Sequence, residues 1–382
     1  MKMPRSVLLA VCAALLLPAT LPAGELPTAK PEDVGLSSEK LQQARAAVRK
    51  LIKDGEVAGA IILVARHGKV VFLEAQGVRD LATGKPMEKD TICRFYSMSK
   101  PVTTVAAMIL WEEGRFKLDD PVSKYLPEFK GVKVFTGGTA DSPQLADPQR
   151  EMTVRDLMRH TAGLTYGFFG DLPADTLYRK SKILEPGASL QTMVERLGKI
   201  PLAHQPGTRF HYSVATDVLG RLVEVVSEKS LDEFLRGRIF EPLDMKDTGF
   251  FVPEDRRDRL AASHGKNAAG ELDGRRVLKA ETVRLMTSNQ LPAEAMPLSI
   301  LGARREGVGF GLGFSVRVTA SQTEPADRVG EFGWGGAAST HFWISPKDDL
   351  FVIALQQFQP FNPVLEQRLK PIIYEALTDP KK

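Results

Sequence analysis

The sequence predicts an α/β (α+β) fold, with one antiparallel sheet assembled from both ends of the chain and flanked by helices. Three observations carry that expectation. β-Branched apolar runs stand near the N-terminus, similar runs return after Gly307, and the stretch from Leu118 to about Asn289 between them is helical and loop-rich. No internal repeat divides the chain. The sheet should therefore come from about residues 36–95 and 305–380, with an all-helical subdomain inserted over about 96–300.

The first residues read as a secretory signal. Lys2 and Arg5 form a basic n-region, Val7 to Leu17 an apolar core, and Leu21-Pro22-Ala23 a small-residue cleavage site. That core falls short of the roughly 20 residues needed to span a bilayer. Cleavage is expected after Ala23, with Gly24 nearly as good, leaving 24–382 as one exported domain, periplasmic or secreted. Cys12 lies inside the apolar core behind Val11, which argues against a lipid anchor. Loss of Lys2 and Arg5 takes the formal charge from +4 to +2. That near-balance gives no reason to expect nucleic acid or an acidic membrane as partner. Cys93 is then alone, so no intrachain disulfide forms, and its apolar setting reads as a buried packing thiol.

Residues 38–53 read as an amphipathic helix capped by Ser37 or Ser38. Ala58 to Gly77 reads as a hairpin turning at His67-Gly68-Lys69. A helix starting near Ser97 should run to Glu113 and stop at Gly114. Gly131 to Arg150, rich in Gly, Asp, Pro and Gln, reads as an exposed loop. Thr153 to Asp156 looks like an N-cap with an acidic N3 residue, leading a short helix that closes at Gly163. Val218 to Val226 and Leu231 to Ile239 are apolar helices. Gly309 to Val318, Gly330 to Trp334, Ser339 to Ile344 and Leu350 to Leu355 suggest antiparallel strands, and Pro363 to Leu377 a closing helix.

Within this frame, Ser97-Met98-Ser99-Lys100 places a hydroxyl and an amine three residues apart, on one helix face. A serine hydroxyl attacks only when a base takes its proton. Lysine is such a base if burial or nearby positive charge lowers its pKa. Taken alone, the tetrad equally describes a capping serine and a solvated lysine. Farther along, Pro206-Gly207-Thr208-Arg209-Phe210-His211-Tyr212 offers a tyrosine. A phenol between positive charges loses its proton more easily and serves as base, then acid. Taken alone, it is a packed aromatic. Gly333-Trp334-Gly335-Gly336-Ala337 lets a substrate approach a strand backbone closely. An N–H there, with that of Ser97, would form an oxyanion hole. Taken alone, it is a bulge.

Together, Ser97-Met98-Ser99-Lys100, Pro206-Gly207-Thr208 with Tyr212, and Trp334-Gly335-Gly336 resemble the serine β-lactamase and penicillin-binding-protein superfamily. Within it the chain is similar to the class C β-lactamase-like carboxylesterases, the family VIII esterases. The likeness spans about residues 35–375 and includes Arg159 to Leu164 and Glu241 to Thr248. It implies a β-lactamase/DD-peptidase-like fold, Ser97 as acylated nucleophile, and Lys100 as its base or proton relay. Tyr212 would share the base and acid duty, and the N–H groups of Ser97 and Ala337 would hold the oxyanion. Which of Lys100 and Tyr212 takes the first proton stays open, because coupled groups titrate together.

The departures narrow the substrate. Tyr212-Ser213-Val214 puts valine where the β-lactamase motif has asparagine, so Val214, with Trp334, Gly335 and Gly336, is expected to line the substrate site. Trp334 stands where those enzymes have lysine. Loss of that charged contact removes about 1.5–3 kcal/mol. A small-molecule uncharged ester is therefore favoured over a lactam, with no cofactor or metal. The rivals are a weak class C-type β-lactamase or D-amino-acid peptidase, and a non-catalytic ligand sensor on the same fold. No G-x-S-x-G elbow supports a Ser-His-Asp triad with His160, His204, His211 or His341. His160 reads as a helix-ending cation or donor, Ser99 as pointing to another helix face than Ser97, and Glu112-Glu113 and Arg304-Arg305 as solvated surface. Gly131 to Arg150 and Tyr166 to Leu190 should shape the pocket. Acyl length and oligomeric state are not encoded in any motif.

Overall fold

The computed structural model describes residues 27–263, 278–300, 303–321 and 328–379; the expected leader, 1–23, lies outside them. The chain begins with α1 (Ser38–Lys53) and the hairpin β1 (Gly59–Arg66) and β2 (Lys69–Gly77). Next, α2 (Ser99–Glu112) opens a helical region with α3 (Val154–Met158), α4 (Pro173–Lys180), α5 (Leu190–Leu197), α6 (Ala215–Ser227), α7 (Leu231–Leu235) and α8 (Ala280–Met286). The hairpins β3 (Val134–Gly138)–β4 (Pro143–Ala146) and β5 (Leu298–Ile300)–β6 (Ala303–Arg305) are small additions. The chain then returns through β7 (Val308–Phe310), β8 (Ser315–Arg317), β9 (Phe332–Gly336), β10 (Thr340–Ser345) and β11 (Leu350–Gln356) to α9 (Val364–Glu375).

These ends combine as expected into one antiparallel sheet of order β2-β1-β11-β10-β9-β8-β7. Strand alternation explains its burial on both faces. Ala60, Ile62, Val64, Val352 and Ala354 pack with α1 and α9 residues such as Leu41, Val48, Leu369 and Ile373. Ile61, Leu63, Ile353 and Leu355 point the other way, toward Met98 and Cys93. Cys93 is a buried thiol, as its setting suggests. The α2 helix is apolar nearly all round and is the centre of the helical core with α6.

Several elements differ from expectation. Gly309 to Val318 is two strands, because the turn between them packs onto the helices. A Cβ on Gly311 would lie 1.9 Å from the Met286 carbonyl oxygen, and one on Gly313 2.7 Å from Thr104 Oγ1. The Gly131 to Arg150 segment carries the β3–β4 hairpin. The Thr153 capping box forms with Asp156, but α3 ends at Met158 and not at Gly163. The apolar run from Leu231 passes into a single π turn at Arg236–Phe240. Glu112 is no solvated residue: it accepts from Lys279 N at 2.8 Å and from Thr282 Oγ1, tying α8 to α2. Among the described residues no helix is long and apolar enough to cross a membrane.

Candidate active site

Ser97 sits on a 3-10 turn, Tyr96–Met98, immediately before α2. Tyr96 has φ +47°, a left-handed conformation costly for a bulky residue. It holds Ser97 half-buried on the turn between β9 and α2, while Met98 anchors the turn in the core. One turn on, Lys100 Nζ donates to Ser97 Oγ at 3.4 Å, the long end of hydrogen bonding. Ser99 is exposed.

Tyr212 and Tyr166 flank Lys100. Its Nζ lies 5.1 Å from the Tyr212 ring centre and 5.4 Å from that of Tyr166, and the two rings are 5.5 Å apart. Tyr166 opens the Tyr166 to Leu190 segment expected to shape the pocket, but its place beside Lys100 was not expected; its signal was an aromatic run between glycines, Tyr166-Gly167-Phe168-Phe169-Gly170. The buried Asp175 carboxylate shapes that loop, accepting from Thr165 Oγ1, Gly167 N at 3.1 Å and Leu172 N at 3.0 Å. Phe168 and Phe169 pack tilted against each other and against Tyr166, Phe169 meeting it edge-on, 57% and 43% exposed.

Lys100 departs from the requirement set for a lysine base. Burial alone would lower its pKa, but the acidic groups of Tyr212, Tyr166 and Asp217 outweigh it and hold the ammonium above its ordinary range. Burial pushes the Tyr166 hydroxyl up to about 12, although Lys100 opposes this. His160 also differs from the expected helix-ending cation. It is fully enclosed, 4.8 Å from the Tyr212 ring centre, with Nδ1 3.2 Å from Ser213 Oγ. Burial and then the Lys100 charge push its pKa well below the ordinary imidazole value, so it packs as a neutral ring behind Tyr212. Gly207 completes this support. Its N–H donates to Thr161 O at 2.8 Å, and its φ of +88° suits only glycine.

From the sheet, β9 brings Trp334 against Tyr212 at 5.6 Å and Phe310 at 5.2 Å. Trp334 Nε1 and Tyr212 Oη are buried and have no hydrogen-bond partner among the described residues. The end of β9 touches the nucleophile turn: a Cβ on Gly336 would lie 2.4 Å from Phe95 O. Ala337, the next residue, is exposed on the β9–β10 turn beside it. The α-carbon of Gly335 faces His341 and the far side of the sheet, where His341 Nε2 pairs with Glu366 Oε2 at 3.0 Å. Val214 is not brought to the site. Its side chain is fully buried in the helical core, because its N–H bonds to Thr165 O and it caps α6 from inside. Among the described residues, no group of three or more His, Cys, Asp or Glu is placed to hold a metal.

The arrangement joins a serine hydroxyl, an amine and a phenol among clustered aromatic rings, beside a close-packed strand end. The comparisons agree with that architecture. The family described as Beta-lactamase matches residues 44–373. An uncharacterized protein of Mycobacterium tuberculosis is 32% identical over 362 residues, covering 83% of this chain and 90% of that one. Esterase EstB of Burkholderia gladioli is 34% identical over 212 residues, 54% of this chain and 50% of its own. The solved structure of EstCE1, a hydrolase with promiscuous acyltransferase activity, has TM-score 0.73 and 25% identity, covering 88% of this chain and 98% of that one. On these matches and this fold, the chain is a hydrolase that belongs to the Beta-lactamase family.

Proposed function

We propose that this chain is an exported serine hydrolase that cleaves uncharged carboxylic esters through an acyl-enzyme on Ser97. The observation that carries the reading is the contact of Ser97 Oγ with Lys100 Nζ, with Tyr212 on the adjoining side. Ser97 Oγ attacks the ester carbonyl carbon while its proton passes to the Lys100–Tyr212 pair. The N–H groups of Ser97 and Ala337 hold the oxyanion. The C–O bond to the alcohol then breaks, and the pair returns the proton to the departing alkoxide. Water repeats the sequence on the acyl-enzyme and releases the carboxylic acid.

The walls favour an apolar substrate. Trp334 presents no charge to a carboxylate, and Phe168 and Phe169 offer apolar surface at the rim. The names of EstB and EstCE1 support esters as the substrate class. Export rests on the N-terminal segment: the mass of secreted protein should show loss of residues 1–23.

The test compares p-nitrophenyl butyrate hydrolysis by wild type, Ser97→Ala and Lys100→Ala, alongside nitrocefin. Loss of ester turnover in Ser97→Ala is expected, and undiminished turnover would sink the reading. Nitrocefin turnover matching that on esters would favour a β-lactamase. Failure of a fluorophosphonate to label Ser97 would favour a non-catalytic sensor.

A further inference from the structure

Lys100 is a partly buried cation without an ion pair: among the described residues no carboxylate lies within 4.0 Å of its Nζ. The groups that face it are Ser97 from its own turn, His160 and Tyr166 from the segment after α3, Tyr212 from the approach to α6, and Asp217 on α6. His160 is neutral, and Tyr166 keeps its proton up to about 12. Asp217 is the carboxylate among them.

Its placement follows from helix packing. A Cβ on Gly220 of α6 would lie 3.9 Å from Thr103 Cγ2 of α2, so the helices meet there. Three residues back on each helix, on the same face, stand Asp217 and Lys100. Asp217 occupies the N3 position of α6. At N3 of α3 and α7, Asp156 and Glu233 reach back to cap their helices. Asp217 does not, because the Val214 N–H is already given to Thr165 O at 3.2 Å. Its Oδ2 is left buried with no hydrogen-bond partner among the described residues. A carboxylate so placed acts on Lys100 and on the Tyr166 hydroxyl, and is itself held by its own backbone N–H.

We propose that Asp217 is a positioning residue that holds a proton on the Lys100–Tyr212 pair, confining hydrolysis to the alkaline side. Whichever of the two groups takes the Ser97 proton, the pair must first give up one of its own. A negative charge behind Lys100 favours the protonated pair and raises the pH at which a base exists. Burial pushes the Asp217 carboxyl above its ordinary value while Lys100 pulls it back.

This inference rests on the reading of Ser97 as nucleophile. Its test is the pH dependence of kcat/KM on p-nitrophenyl butyrate, and of the rate of fluorophosphonate labelling, for wild type, Asp217→Asn and Asp217→Glu. The wild-type acid limb should lie above neutrality. Asp217→Asn should move it down by about one pH unit or more, while Asp217→Glu keeps it near the wild-type position. A merely structural role would lower the rate by the same factor at every pH. Coincident limbs in wild type and Asp217→Asn would overturn the proposal. A wild-type profile flat from the acid side through neutrality would overturn it too, even if Asp217→Asn fails to fold. Absence of label on wild-type Ser97 would instead strike at the nucleophile.

Discussion

Replacing Gly336 by alanine tests the oxyanion hole without altering a reacting side chain. The added Cβ would stand 2.4 Å from Phe95 O and 2.3 Å from Thr340 Oγ1, more than about 1 Å inside comfortable contact. Thr340 can rotate its hydroxyl away. The Phe95 carbonyl cannot yield so cheaply, because it belongs to the backbone that leads into Ser97. Relief requires β9 and the nucleophile turn to separate by a similar distance, and the N–H groups of Ser97 and Ala337 separate with them. Loss of one oxyanion donor costs roughly 100- to 1,000-fold in kcat. We therefore expect kcat on p-nitrophenyl butyrate to fall by about 100-fold or more, with KM little changed. The crowding itself should cost about 1–3 kcal/mol of stability, read as a lower Tm. A folded Gly336→Ala enzyme retaining most of its kcat would refute the assignment of Ala337 to the oxyanion hole.

Two further outcomes follow from the rim and from the back of the sheet. Because Phe168 and Phe169 are half exposed, alanine at either should spare the fold, yet raise KM for octanoyl esters by roughly fivefold, about 1 kcal/mol of apolar contact, with little effect on acetyl esters; equal effects on both would remove them from the acyl site. Burial would raise the Glu366 carboxyl, but the His341 imidazole outweighs it and holds it at about 2 against an ordinary 4.5. Its stabilisation is thus present above pH 4.5 and lost as pH falls toward 2. Wild-type Tm should drop across that window, by up to about 3 kcal/mol of stability, and more steeply than that of Glu366→Gln; parallel curves would discount the pair.

Much of this architecture was legible because its signals are local or ordered. Residues 38–53 carry a helical stripe and a serine cap, and the helix occupies that span. The hairpin at His67-Gly68 and the strands after residue 330 follow from β-branched runs between turn residues. Ser97, Lys100 and Tyr212 were found by their order along the chain, and the structure brings them together. The misreadings share one cause, tertiary contact between distant segments. Gly309 to Val318 looks like one strand until Gly311 and Gly313 are seen against Met286 and Thr104. Val214 looked like a substrate contact because motif spacing says nothing about which way a side chain turns at a helix start. Tyr166 and Asp217 belong to no motif, and their importance appears only when both are found around Lys100. The charge on that lysine was misjudged for the same reason: burial can be guessed from apolar neighbours in sequence, but the acidic groups of Tyr212, Tyr166 and Asp217, far along the chain, cannot.

The pairing of Ala60 with Gln356 along β1 and β11 has a consequence for how the chain is made. Strand β1, already paired with β2, finds its second partner only after nearly the whole polypeptide has been synthesised. Until then one apolar face of the β1–β2 hairpin has α1 but not α9 to cover it, and closing so long a loop makes the pairing a slow, late event. The helical region, whose contacts are nearer in sequence, can consolidate first. Folding of the sheet thus waits on the last strand and helix, and a ribosome stalled before residue 332 would hold a chain whose Ser97 turn has no β9 to rest against.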